Sequence, residues 1–89
     1  MAGQTTALDA IVRAELAIKI INQARGLVSE RVAAIEAEDP AGAEVMRARR
    51  RALLAVQNSI RVDDPDHVEA VIAEWGPRVK DPAQFWREL

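Results

Sequence analysis

ALDAIVRAELAIKIINQARGLVSERVAAIEAEDP, residues 7–40, decides the fold of this chain. The stretch contains no proline until Asp39-Pro40, and that pair recurs as Asp64-Pro65 and Asp81-Pro82. An Asp followed by Pro suits a helix start: the carboxylate accepts from the free N–H groups of the first turn, and Pro lacks an N–H that would be orphaned there. The chain therefore divides into helices of about 7–38, 40–61, 65–75 and 82–88. Thr6 caps the first, with Asp9 near the positive end of its dipole.

Within the first helix, Ile11, Ala14, Ile18, Ile21, Arg25, Val28, Val32 and Ile35 alternate spacings of three and four, the pattern of a heptad seam. Only Arg25 interrupts it. A second apolar stripe, Val12, Leu16, Ile20 and Leu27, lies on nearly the opposite side, so this helix needs cover on two faces. At about 1.5 Å per residue it is roughly 48 Å long, more than the width of a compact domain of this size. Gly26, on the outer side, marks a close contact or a kink.

The short turn at Asp39 implies that helix 2 folds back on helix 1, with Val45, Met46, Ala52, Leu53, Val56 and Ile60 on its inner face. Arg61 then comes level with about Ile18, which leaves residues 7–17 beyond its reach. Helix 3 carries Val68, Val71, Ile72 and Trp75 at core spacing and is expected to stop at Gly76-Pro77. It is the intramolecular candidate to cover the overhang. The expected fold is all-α: a long antiparallel helical hairpin, a short third helix and a C-terminal helical turn, assembled as a dimeric helical bundle.

Bulk properties narrow the function. The 89 residues are one domain, 49% hydrophobic but rich in Ala and only 3% aromatic, so a second subunit would supply missing burial. A net charge of −2 gives no global attraction to nucleic acid or anionic membranes. The absence of Cys excludes disulfides and thiolate chemistry and fits a cytoplasmic protein. Met1 to Thr6 do not read as a leader, and no apolar run reaches the roughly 20 residues of a membrane span. The abundance of Ala, Arg, Val and Glu suits a GC-rich bacterial genome.

Few residues offer chemistry. Arg47, Arg50, Arg51 and Arg61 share the outward face of helix 2, a surface for phosphate or an acidic partner, while Arg49 falls in the apolar stripe. Helix 3 is too acidic, with Asp64, Asp66, Glu69 and Glu74, to serve as a DNA-recognition helix. Arg25 and Arg49, both on core-facing stripes, either snorkel or fix register against an acid of a second subunit. His67 sits among Asp63, Asp64, Asp66 and Glu69, but acids in a first turn are expected from capping alone. Thr5, Thr6, Ser29 and Ser59 have no neighbouring base, and there is no glycine-rich phosphate loop. No catalytic residue, cofactor or metal ligand is assigned.

The reading is a small non-enzymatic interaction protein, a regulator or adaptor, acting as a homodimer. Val12, Leu16, Ile20 and Leu27 form the expected subunit interface. Phe85 and Trp86, in the segment that holds all the aromatic residues, are the expected anchors for an unidentified protein partner. The alternative is nucleic-acid binding through the arginine face of helix 2.

Overall fold

The computed structural model describes residues 7–89, and the Thr6 cap and the reading of Met1 to Thr6 lie outside them. These residues form four helices and no strand: α1 (Ala7–Ile35), α2 (Pro40–Asn58), α3 (Pro65–Lys80) and α4 (Pro82–Glu88). All three Asp-Pro pairs start helices. Asp39 accepts from the Gly42 N–H at 2.9 Å, Asp64 from His67 at 3.3 Å, and Asp81 from Ala83 at 3.2 Å and Gln84 at 3.4 Å.

The helix ends depart from expectation. Residues 36–38 form a turn rather than a last helical turn, with the Glu38 and Asp39 amides both donating to the Ile35 carbonyl. α2 ends at Asn58 instead of near Arg61 because Ser59 turns its hydroxyl back to the Val56 carbonyl, competing with the helical ladder. α3 continues five residues beyond the expected end at Trp75, straight through Gly76-Pro77. A proline disfavours helix in its predecessor mainly by clashing with that residue's Cβ and N–H, and glycine has no Cβ. Gly76 is also buried against Ile20, so packing holds the turn that the dipeptide would otherwise end.

α1 is the spine of the molecule. Polar links from α2 step backward along it as α2 advances: Arg47 to Glu36, Arg50 to Ser29, and Gln57 to Arg25. Contacts from α3 and α4 step forward: Glu69 to Arg13, Gly76 to Ile20, and Trp86 to Arg31. α2 and α3 pack on α1 but not on each other. The Cα radius of gyration is 15.2 Å, against about 12 Å expected for a compact chain of this length, and the molecule measures 57 × 22 × 15 Å.

The core is correspondingly thin. Ala14, Ala17 and Ala24 are buried along α1, where small side chains let the flanking helices approach closely, together with Ile21 and Val28. Phe85 closes this layer and is completely buried, edge-on to Trp86 at 4.9 Å between ring centroids and 6.4 Å from Trp75. Arg78 lies over Trp75 and bonds Glu88 at 2.7 Å, tying α3 to α4.

Candidate interaction surface

With α2 and α3 placed on its two sides, α1 keeps one face open. Leu8, Ile11, Val12 and Leu16 are exposed there by 68%, 42%, 53% and 37%. They occupy successive turns of one helix, so they form a continuous apolar strip rather than scattered contacts. Further along the same face come Glu15, Lys19, Asn22, Gln23 and Gly26, all exposed. Nothing lies within 4 Å of a Cβ built on Gly26, so neither a close helix contact within the chain nor a break in α1 accounts for this glycine.

Beside the strip runs a groove of about 450 Å³ between α1 and α3, lined chiefly by Leu16, Ile20, Ile72, Gly76 and Val79. Lys19 and Lys80, the only lysines of the chain, stand at its sides. Neither has an ion-pair partner among the described residues. The groove is therefore an apolar trough with positive edges.

The four residues expected at the subunit interface do not share one surface. Val12 and Leu16 are exposed on the open face, whereas Ile20 is only 7% exposed beneath α3 and Leu27 packs against the core beside Trp86. Two elements cause the difference: α3, continued through Pro77, lies over Ile20, and Trp86 of α4 lies beside Leu27. Leu8 and Ile11 take the vacated place. Leu8, one turn before Val12, was a signal available in the sequence, and Ile11 had been placed on the inner seam.

The aromatic expectation is likewise split. Phe85 is unavailable to a partner because it fills the core, so its assignment as a partner anchor is withdrawn. Trp86 is half-buried, with the Arg31 guanidinium 4.4 Å from its ring centroid, and edges a shallow depression with Leu27, Ala34 and Pro82. Part of Trp86 stays exposed to solvent.

Arg47, Arg50, Arg51 and Arg61 are engaged within the chain. Arg47 bonds Glu36 at 2.7 Å and Glu44 at 3.5 Å, Arg51 bonds Glu44 at 3.3 Å, and Arg50 donates to the Ser29 hydroxyl at 3.0 Å. Arg61 pairs with Asp63 at 3.0 Å, which raises its pKa above the ordinary value and holds the Asp63 carboxyl below its own. Arg49 is exposed rather than on the inner stripe. The face thus carries its own counter-charges.

Arg25 turns to its own chain, donating to Gln57 at 3.1 Å and Asn22 at 3.4 Å, while its buried Nε has no partner. His67 Nε2 lies 2.8 Å from the Ser59 hydroxyl, and among the described residues no group of three His, Asp or Glu side chains is placed to hold a metal. No helix of the described chain is long and apolar enough to cross a membrane. No protein-family model, curated protein or solved structure matches this chain.

Proposed function

We propose that the chain is a non-enzymatic helical interaction module of the cytoplasm, a regulator or adaptor that works as a homodimer joined through the open face of α1. In this reading α1 and α2 form an antiparallel hairpin, α3 and α4 brace its other side, and two such units make a helical bundle. The observation that carries it is the strip Leu8, Ile11, Val12 and Leu16, left exposed along the first half of α1. Contiguous apolar surface of this kind is the usual mark of an interface, and a thin core of buried alanines gives a small domain reason to gain burial from a second copy. Trp86, backed by Arg31, is then the anchor for a protein other than a second copy.

Nucleic-acid binding has less support, because Arg47, Arg51 and Arg61 already face Glu36, Glu44 and Asp63. Sedimentation equilibrium at micromolar concentration tests the dimer. The expected mass is twice that of the chain, and Val12→Glu should halve it without loss of helical circular dichroism. A wild-type monomer at these concentrations removes the reading.

A further inference from the structure

The open face of α1 has an internal order that specifies how a second copy would sit. Leu8, Val12, Glu15, Lys19, Asn22 and Gly26 recur at alternating spacings of four and three, so the exposed side of the helix carries a heptad seam of its own. Its first half is apolar, its middle holds one acid and one base, and its end is a glycine with open space above it. A parallel pairing sets Glu15 against Glu15 and Lys19 against Lys19. Like charges facing each other in a seam are unfavourable.

We propose that two copies pack α1 against α1 in antiparallel register, with the two-fold axis level with Ala17. Glu15 then meets Lys19 of the second copy, twice by symmetry, and Leu8 projects into the space over Gly26. Leu16 of the second copy comes to the mouth of the groove between α1 and α3, whose edges carry Lys19 and Lys80. One register satisfies the charges and the glycine together, and it sets Val12 opposite Asn22 of the second copy. Neither Glu15 nor Lys19 has an ion-pair partner within the described chain, so both are free to form the cross-subunit pairs.

This inference rests on the homodimer reading but fails separately from it. The chain has no cysteine, so introduced thiols report geometry without background. Under mild oxidation the double variant Leu8→Cys/Gly26→Cys should give a covalent dimer on non-reducing gels, while Leu8→Cys alone stays monomeric there. Glu15→Lys and Lys19→Glu should each weaken self-association by at least about tenfold. The Glu15→Lys/Lys19→Glu double variant should regain it, and an equimolar mixture of the two single variants should form heterodimers. Cross-linking by Leu8→Cys alone, or a wild-type dimer whose strength ignores both charge reversals, overturns the register and leaves the dimer standing. A wild-type monomer overturns both. Circular dichroism of each variant confirms that these outward substitutions leave the helices intact.

Discussion

Gly76 turns its bare backbone toward Ile20: a Cβ built on it would lie 3.8 Å from Ile20 Cδ1, an ordinary contact. This approach seats α3 on the second stripe of α1 and takes Ile20 out of the solvent. Gly76→Val, which adds a β-branched side chain beside Ile20 and directly before the Pro77 ring, should destabilise the protein by about 1–3 kcal/mol. Gly76→Ala should be close to neutral, since a helix-propensity gain of about 1 kcal/mol is opposed by the clash of its Cβ with the Pro77 ring. Urea midpoints of the two variants check the contrast.

Pro77 stands inside α3 and offers no N–H to the carbonyl one turn earlier, that of Ala73. Restoring the donor with Pro77→Ala should stabilise the chain. A proline inside a helix costs about 3 kcal/mol, and the greater freedom that alanine gives the unfolded chain returns about 0.4–1 kcal/mol of that. The expected net gain is about 2 kcal/mol, read as a higher urea midpoint with an unchanged slope.

Those two residues also show where the sequence was legible and where it was not. Asp39, Asp64 and Asp81 announce their helices because capping is local chemistry, complete within four residues, and each carboxylate makes the expected bond. The helical class and the inner seam of α1 through Ile21, Val28 and Val32 were readable for the same reason: a period is visible in one dimension. Gly76-Pro77 reads as a stop by every local rule, and only its burial against Ile20, 56 positions earlier, reverses that. The interface expectation failed at Ile20 through the same long-range contact and at Leu27 through Trp86 of α4, while Val12 and Leu16 stayed on the open face. Phe85 and Trp86 are adjacent and chemically alike, and only the packing of α4 decides which one is buried.

Phe85 is fully enclosed between Trp75 and Trp86, so Phe85→Ala should cost about 3–5 kcal/mol and release α4 from the rest of the molecule. Trp86→Ala, at a half-buried position, should cost clearly less. Thermal unfolding of both variants followed by tryptophan fluorescence and circular dichroism makes the comparison. Equal losses would mean that Phe85 is not the keystone of this layer.

Arg25 leaves a buried Nε without a partner and uses its remaining donors on neutral groups, Gln57 and Asn22. Arg25→Met keeps the length of the side chain and removes the unpaired donor and the partly buried charge. Stability should rise by about 1 kcal/mol, since half-buried Gln57 can still reach water. Oligomeric mass should not change, because Arg25 makes its hydrogen bonds within its own chain. A loss of mass would assign Arg25 to the subunit contact instead.

Arg13 holds Glu69 in a two-pronged pair, at 2.6 and 2.8 Å, that fastens the start of α3 to the first half of α1. The hydrogen bonds from the guanidinium keep the Glu69 carboxyl below its ordinary value and raise Arg13. A carboxyl depressed on folding stabilises the folded state above the unfolded-chain pKa of roughly 4.3, and that contribution disappears as pH falls through the lower folded value. Acid therefore loosens this clamp, whereas raising the pH from 6 toward 9 leaves it unchanged. Both groups are exposed, so the effect is small and screened by salt. Glu69→Gln should lower stability at pH 7 in dilute buffer and make no difference once the pH lies below the folded value of Glu69. If the variant and the parent differ equally at both pH values, the pair is not what Glu69 contributes.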